Sequence, residues 1–216
     1  MFFVFEGPDG SGKSTQMALF AEWLRGRGLD VVLCRDPGST ALGEAIRQLL
    51  LNPAGAPIGR RSEMLLYMAA RAQMVDEVIA PALAAGKAVV SDRYLLANLV
   101  YQGYGRGLDL ETIRSIGVVA TAGCLPDLSL VLDLPAAAAA ARLQRPLDRM
   151  ERESEQFREA VRAGYLELAR QNPEGIRVID AGRPVEVVHQ DVRQAALAVL
   201  ERADNSRASA DRKRRP

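Results

Sequence analysis

The chain has 216 residues, of which 48% are hydrophobic and 25% charged, a balance typical of one globular domain with a full core. The net charge of +1 argues against a nucleic-acid coat protein or a membrane-surface binder. The two cysteines, Cys34 and Cys124, are too few for a disulfide framework, and no apolar run has the length of a membrane span. We therefore expect a reduced, cytoplasmic protein whose partners include neither a membrane nor nucleic acid.

Apolar strands alternate with amphipathic helices along the chain. A strand at 2–6 and a helix at 13–27 come first, and further strands are predicted at 31–34, 87–91, 128–132 and 176–180. Further helices are predicted at about 40–51, 61–85, 109–122, 135–144, 151–171 and 184–202. Because the strands are apolar throughout, the pattern predicts an α/β fold with a five-stranded parallel sheet covered by helices on both faces. Residues 1–202 form one domain in this interpretation.

The last segment of the chain, 203–216, differs in composition from the rest. Apart from alanines it lacks apolar residues, and its cations outnumber its acids; these cations are Arg207, Arg212, Lys213, Arg214 and Arg215. Such a composition predicts a disordered, solvated basic tail. A tail that binds nucleic acid is the alternative.

The segment between the first strand and the first helix satisfies the pattern G-x-x-x-x-G-K-[ST]. Its residues are Gly7, Pro8, Asp9, Gly10, Ser11, Gly12, Lys13 and Ser14. Glycine conformations allow successive backbone N–H groups to point at phosphate oxygens, and the helix N-terminus adds partial positive charge. We expect Lys13 to reach the outer phosphates and the Ser14 hydroxyl to bind Mg²⁺. The segment predicts a site for a nucleoside triphosphate.

Charged and aromatic residues at other strand and helix ends suggest an acceptor. Asp92 ends the third strand, where a magnesium-side carboxylate is usual, although it could instead cap the next helix. Arg93 follows it, and Arg35 ends the second strand. Tyr67 and Arg71 lie one helical turn apart, which suits a stacked base beside a hydrogen-bonding cation, or a half-buried tyrosine with a surface arginine.

A cluster of arginines lies between two predicted helices, at about 142–152. Pro146 ends the first helix, so this segment predicts a mobile lid whose arginines neutralise charge during phosphoryl transfer. A solvated connector is the alternative. Downstream, a helical repeat predicts core residues, namely Phe157, Val161, Tyr165 and Leu168.

Ordered blocks over about residues 2–200 resemble thymidylate kinase, the nucleoside-monophosphate kinase that phosphorylates dTMP. The blocks are Phe5–Gln16, Arg35–Thr40 with Leu42–Glu44, Glu63–Gln73, Asp92–Tyr94 with Tyr101–Gly103, Pro126–Leu128, Asp148–Glu151 and Gly164–Leu166. The resemblance implies a P-loop kinase fold, ATP as phosphate donor, Mg²⁺, nucleotide substrates and a homodimer. It also implies the bacterial arrangement, because the P-loop has no arginine while the lid has Arg145, Arg149 and Arg152.

The resemblance further implies a role for individual residues. Lys13 and Ser14 would hold the donor phosphates and the metal ion, with Asp92 on the metal side. Residues that would bind the acceptor nucleotide are Asp9 near its sugar, Arg35 and Arg93 at its phosphate, Tyr67, Arg71 and Asn98 at its base, and Tyr101 beneath its deoxyribose. Arg149 is the first choice for the lid arginine that acts in phosphoryl transfer, because Asp148-Arg149 is the best-matched dipeptide. We expect Arg93 to be solvated in the free enzyme.

Four positions depart from the usual family pattern. Asp36 replaces a glutamate, Ser39 replaces a glycine, Ala70 stands where an aspartate often precedes the arginine, and Tyr67 replaces a phenylalanine. None of these changes removes a group that the chemistry needs. We expect the loop near the acceptor to differ in conformation from the corresponding loop of other family members.

Other functions fit parts of the pattern. A deoxynucleoside kinase would need a carboxylate base, for which Asp36 is available, whereas a monophosphate acceptor needs only cations. Another nucleoside-monophosphate kinase, for guanylate or a different pyrimidine such as cytidylate, would differ in its base subsite. A non-catalytic nucleotide-binding protein would have lost the metal-side acid or the lid arginines, and both are present here.

Overall fold

The sheet is five-stranded and entirely parallel, with the order β2-β3-β1-β4-β5. The computed structural model describes residues 1–143 and 145–214, with side chains as far as Arg202. The strands are β1 (Phe2–Glu6), β2 (Val31–Arg35), β3 (Ala88–Asp92), β4 (Leu128–Asp133) and β5 (Ile176–Asp180). All five strands occur where the sequence predicts them, within one residue at either end.

Helices connect the strands. They are α1 (Lys13–Arg25), α2 (Ala41–Leu51), α3 (Arg60–Met74), α4 (Ala80–Ala84), α5 (Leu95–Asn98), α6 (Leu110–Thr121), α7 (Ala136–Ala141), α8 (Glu155–Gln171) and α9 (Val185–Arg214). Two π-helical turns, Val75–Ile79 and Leu99–Gly105, continue α3 into α4 and extend α5. Among the described residues, none of these helices is both long and apolar enough to cross a membrane.

Both faces of the sheet are buried, which explains why its strands do not alternate in polarity. On one face, Phe3 and Phe5 of β1 belong to a core with Phe20 of α1. On the other face, Phe2 and Val4 belong to a core that reaches the end of α3 and the first π turn. Burial of alternate side chains on opposite faces requires helices on each side. The predicted α/β class, with a five-stranded parallel sheet covered on both faces, is confirmed.

The register of the central strands brings the functional loops together. Phe5 of β1 and Arg35 of β2 both pair with Asp92 of β3. The loops that follow β1, β2 and β3 therefore start in one row at the carboxyl edge of the sheet. Ligands of open parallel sheets bind at this edge.

Three helical segments differ from the sequence-based prediction. The sequence predicts no helix at 95–105, but this segment is helical. Its conformation depends on tertiary contacts, because the π turn packs closely on α8. The lid is followed by a helix that begins at Glu155 rather than 151, where the Ser154 side chain accepts a hydrogen bond from the Phe157 N–H. Helix α9 is assigned from Val185 to Arg214, whereas the sequence predicts its end at 202; the disorder predicted for the tail at 203–216 stays a prediction. Residues 215 and 216 lie outside the described part.

Candidate active site

The P-loop backbone is shaped by glycines in conformations that other residues rarely adopt. Gly7 has φ 125° and Gly10 has φ 86°. A Cβ atom on Gly7 would lie 2.5 Å from the carbonyl oxygen of Leu132, and one on Gly10 would clash with the carbonyl oxygen of Ala139. The loop is thus fitted between β4 and α7, and it leads into the N-terminus of α1 through Gly12. This is the geometry of a phosphate-binding loop.

Lys13 is buried within this loop. Its Nζ atom donates hydrogen bonds to the carbonyl oxygens of Gly7 at 3.1 Å and Pro8 at 3.0 Å, and it lies 3.5 Å from Asp9 Oδ1. Burial acts to raise the pKa of Asp9, but the positive charges of Arg93 and Lys13 outweigh it and hold that pKa well below its usual value. Asp9 is therefore a stable anion between two cations.

A cleft of about 260 Å³ opens beside the P-loop. Every residue predicted to bind the acceptor or the metal borders it: Asp9, Ser14, Arg35, Tyr67, Arg71, Asp92, Arg93, Asn98 and Tyr101. The cleft is also lined by Arg47 and Gln102, to which the sequence reasoning gave no role, by Asp36, which it named as a possible base, and by Arg145 and Asp148 of the predicted lid. The cleft joins the carboxyl ends of β1, β2 and β3 to α3, α5 and the lid.

Arg93 lies at the centre of the cleft wall, with only 14% of its side chain exposed. It donates hydrogen bonds to the Gly7 carbonyl oxygen at 2.9 Å and to Asp9 Oδ1 at 3.0 Å, and its guanidinium lies 5.1 Å from the centre of the Tyr101 ring. Its φ of 68° is left-handed, a strained conformation for a non-glycine residue and one that is typical of functional sites. The expectation that Arg93 is solvated is wrong: neighbouring protein groups hold it.

Glu6, which the sequence reasoning did not select, is linked to Arg93 through the Tyr165 hydroxyl. It is fully buried at the end of β1 and accepts hydrogen bonds from the Tyr165 hydroxyl at 2.8 Å and the Tyr94 N–H at 3.0 Å. Burial raises the pKa of Glu6 to about 7, against the opposing charge of Arg93. Tyr165 is buried as predicted, but its hydroxyl also lies 3.3 Å from Arg93. The feature of the sequence that could have identified Glu6 is an acidic residue at the end of an otherwise apolar strand.

Arg71 is 1% exposed and anchored by its neighbours. Its Nε donates to Asp36 Oδ2 at 2.6 Å, and the same guanidinium donates to the carbonyl oxygen of Tyr94 at 3.1 Å. Asp36, one of the departures from the family pattern, is equally buried. Both residues border the cleft together with Tyr67, and the Arg71 guanidinium lies 5.4 Å from the centre of the Tyr94 ring.

Arg35 is held differently from the other arginines of the cleft. Its side chain is 52% exposed and forms a bidentate contact with Glu44 of α2, at 3.0 Å and 2.8 Å. Because both partners are exposed, this ion pair is weak and leaves Arg35 able to change partners.

A chain of amides leads from the cleft to a buried acid. Asn98 Nδ2 donates to Gln102 Oε1 at 3.0 Å, and Gln102 Nε2 donates to Glu63 Oε1 at 2.9 Å. Glu63 is also contacted by Arg106, which follows the second π turn, and by Arg149. Asn98 Oδ1 is buried and has no hydrogen-bond partner within the described residues.

Two of the lid arginines, Arg145 and Arg149, make different contacts. Arg149 lies 2.7 Å from Glu63 Oε2 and donates to the carbonyl oxygen of Leu50 at 2.6 Å, contacts that tie it to α2 and α3. Arg145 borders the cleft and pairs with Glu151 of the lid. The structure therefore does not bring Arg149 to the P-loop, whereas it does bring Arg145 to the cleft that Asp9 and Ser14 border.

The donor set for a divalent cation is small. Asp92 Oδ1 is buried without a hydrogen-bond partner in the described part of the chain, and Ser14 borders the same cleft. No cluster of three or more acidic, histidine or cysteine residues suitable for a metal ion occurs among residues whose side chains are described. One carboxylate and one hydroxyl fit Mg²⁺, which is usually held by few protein oxygens together with substrate phosphates.

Comparisons with known proteins agree with this geometry. The family model for thymidylate kinase matches residues 5–192. The chain is 49% identical to a thymidylate kinase of Pelotomaculum thermopropionicum over 212 residues, which cover 96% of this chain and 98% of that protein. It is 45% identical to the thymidylate kinase of Kosmotoga olearia, covering 94% and 98%. The crystal structure of thymidylate kinase from Ehrlichia chaffeensis superposes with a TM-score of 0.75 at 32% identity, covering 91% and 98%. The chain belongs to the thymidylate kinase family.

Proposed function

We propose that this protein phosphorylates dTMP to dTDP, with ATP as the phosphate donor and Mg²⁺ as the metal ion. The proposal rests on the lining of one cleft. The P-loop residues Asp9 and Ser14 border the same cleft as Tyr67, Arg71 and Arg93. A phosphate-binding loop and a base-sized subsite in one cleft suit transfer of a phosphoryl group between two nucleotides. Residues 1–202 act as one kinase domain with a lid at about 142–152.

The donor phosphates bind on the P-loop backbone at the N-terminus of α1. Lys13 exchanges its contacts with the Gly7 and Pro8 carbonyl oxygens for phosphate oxygens, which are stronger partners for an ammonium group. Ser14 and Asp92 would hold Mg²⁺, which when bound would offset the negative charge of the phosphates. Positioning and charge neutralisation supply most of the catalysis in this class of reaction.

The acceptor nucleotide lies between β3, α3 and α5. Arg93, fixed by Asp9 and Gly7, binds its phosphate, and Arg35 assists after leaving Glu44. Tyr67 and Arg71 contact the base, Asn98 reads its edge, and Tyr101 lies beneath the deoxyribose. Because the acceptor is an anion, cations that hold it close to the donor replace a general base.

The lid supplies the remaining cation. Arg145 is a better candidate than Arg149 for the residue that contacts the transferring phosphoryl group, because it borders the cleft. Arg149 instead anchors the lid to Glu63 and α2. A closing lid also excludes water from the reacting phosphate.

A panel assay tests the activity. Purified protein is given ATP, with and without Mg²⁺, and each of dTMP, dUMP, dCMP, dGMP and thymidine, and ADP release is measured. We expect the highest kcat/KM with dTMP and no turnover without Mg²⁺. Faster turnover of thymidine or of another monophosphate would contradict the proposal.

We also propose that the protein is a cytoplasmic homodimer. Exposed large apolar side chains occur on three helices that pack side by side: Leu49 on α2, Leu65 on α3, and Val118 and Val119 on α6. Such exposure is typical of a surface that is covered in an assembly. Cys34 and Cys124 are free thiols in the part of the chain described, in keeping with a reducing compartment.

A further inference from the structure

Hydrogen bonds on both sides of Arg93 hold its backbone in the left-handed conformation. The Arg93 N–H donates to the carbonyl oxygen of Phe5 at 2.9 Å, and the Ser91 hydroxyl donates to the Arg93 carbonyl oxygen at 2.8 Å. The next N–H along the chain, that of Tyr94, donates to Glu6 Oε1 at 3.0 Å. A strained backbone conformation persists only where the surrounding contacts enforce it. Glu6 provides one of these contacts.

The second carboxylate oxygen of Glu6 is connected to the guanidinium of the same arginine. Glu6 Oε2 accepts a hydrogen bond from the Tyr165 hydroxyl at 2.8 Å, and the oxygen of this hydroxyl accepts one from Arg93 Nη1 at 3.3 Å. A hydroxyl has one hydrogen to donate and two lone pairs with which to accept. Because that hydrogen is directed to Glu6, the lone pairs of the Tyr165 oxygen remain for Arg93. Glu6 thus fixes the orientation of the hydroxyl that Arg93 contacts.

Glu6 itself lies outside the cleft. It is fully buried at the end of β1, and the described lining of the cleft includes neither Glu6 nor Tyr165. A buried carboxyl group is costly unless polar partners satisfy it, and an apolar side chain would fill the same place in the strand without this cost. What the carboxylate provides is therefore its two hydrogen bonds, and both lead to Arg93.

We propose that Glu6 is a positioning residue for the acceptor phosphate: through the Tyr94 N–H and the Tyr165 hydroxyl, it holds the backbone and the guanidinium of Arg93 in the place that binds this phosphate. This inference rests on the proposed function, in which Arg93 binds the acceptor phosphate. Glu6 touches neither nucleotide in this arrangement. Its contacts tie Arg93 to β1 and α8, whereas the other contacts of the guanidinium are with the P-loop.

Two ligands that differ only in the phosphate test the inference. Glu6→Gln keeps one acceptor oxygen for the Tyr94 N–H and places an NH₂ group where an oxygen faces Tyr165. Calorimetric titration with dTMP and with thymidine, both without ATP, gives the contribution of the phosphate as the ratio of the two Kd values. We expect the preference for dTMP over thymidine to fall about tenfold, because Arg93 is less well placed, while the Kd for thymidine stays unchanged.

Tyr165→Phe removes the same link from its other end and should lower the same preference. The double variant Glu6→Gln with Tyr165→Phe should lose no more than either single variant, because all three lack one shared contact. Tyr104→Phe is the matched control: its ring lies against Gly164 of α8, next to Tyr165 in the chain, and the described lining of the cleft does not include it. Thermal unfolding shows whether each variant is folded, and Tyr165→Phe carries the test if Glu6→Gln is not.

The outcomes separate this inference from the proposed function. An equal loss of affinity for dTMP and thymidine in folded variants, or an unchanged preference, would assign Glu6 a merely structural role and overturn the inference. Losses that add in the double variant would also overturn it, because Glu6 would then not act through Tyr165. A wild-type protein that binds dTMP no more tightly than thymidine would instead contradict the proposed function.

Discussion

Arg71 and Arg93 both border the cleft, but their surroundings differ in kind. Arg71 faces Asp36 inside the protein, where both side chains are 1% exposed. Arg93 faces Asp9, whose side chain is 37% exposed. Removal of one partner from a buried pair leaves an uncompensated charge, whereas a partly exposed partner is resolvated. Substitutions at the two positions therefore have different consequences for folding and for catalysis.

Arg71→Leu leaves the Asp36 carboxylate buried without its counter-charge. We expect the free energy of unfolding to fall by about 3–5 kcal/mol, as for other broken buried pairs. The double variant Asp36→Leu with Arg71→Leu removes both charges and should recover most of this loss. Urea unfolding measures both, and a single variant as stable as the wild type would refute the role of the pair. In folded Arg71→Leu protein, KM for dTMP rises and the preference for thymine over cytosine weakens.

Arg93→Ala removes the cation that we propose holds the acceptor phosphate. We expect kcat to fall by roughly 100-fold or more and KM for dTMP to rise, since the misplaced phosphate loses alignment as well as binding. Asp9 remains partly solvated and close to Lys13, so the protein should stay folded. The control is Arg170→Ala, which removes an exposed arginine of α8. Unchanged kcat in Arg93→Ala protein would exclude Arg93 from the site.

At the scale of elements, the P-loop depends on what packs against it. Helix α7 is a run of alanines whose backbone approaches Gly10, and β4 approaches Gly7. Glu6 connects β1 to α8 through Tyr165, and Glu63 connects α3 to the lid and to the second π turn. The catalytic loop is therefore positioned by contacts between elements that are distant in the chain.

Gly10→Ala tests the contact between the P-loop and α7. Alanine at position 10 would have to adopt a left-handed backbone conformation, φ 86°, and its Cβ atom would clash with the carbonyl oxygen of Ala139. We expect weaker ATP binding and a loss of stability greater than backbone strain alone produces. Gly28→Ala is the matched control, with φ 81° but no heavy atom of the described residues within 4 Å of the new Cβ, and it should cost only about 1–2 kcal/mol. Calorimetric ATP titration and urea unfolding measure the difference; equal effects in both variants would disprove the packing argument.

Glu6 makes stability depend on pH in a defined direction. Burial raises its pKa from 4.5 to about 7 in the folded protein, so between these values the folded state keeps a proton that the unfolded chain releases. The contribution to stability is thus complete below pH 4.5 and is lost as the pH rises to about 7, by roughly 3 kcal/mol in total. Urea unfolding at about pH 5 and about pH 8 should show a larger loss for the wild type than for Glu6→Gln. Parallel pH profiles would contradict this assignment.

At the scale of the whole molecule, the apolar surface on α2, α3 and α6 bears on assembly. Sedimentation velocity at micromolar concentration should give a dimer for the wild type. Val119→Glu places a charge on this surface and should shift the protein toward the monomer, whereas Val178→Glu, at an exposed position on β5, should not. A monomeric wild type would end the proposal of a homodimer.

The sequence alone determined the α/β fold, the P-loop and the residues proposed for the acceptor, which line the cleft. These features depend on local patterns: apolar strands, helical periodicity and a glycine-rich loop at a strand end, each read within a few residues of chain. The matching blocks of the family then identified Tyr67, Arg71, Asn98 and Tyr101, all of which border the cleft.

Only the tertiary structure decided how those residues are held. Glu6 meets Tyr165 across 159 positions of chain, and Arg149 is drawn away from the P-loop by Glu63 and by a carbonyl 99 positions away. The helix at 95–105 forms because α8 packs against it. The two glycines in this segment do not by themselves favour a helix. Such contacts follow from burial and from the need of each buried polar group for a partner, conditions that arise only when distant segments meet.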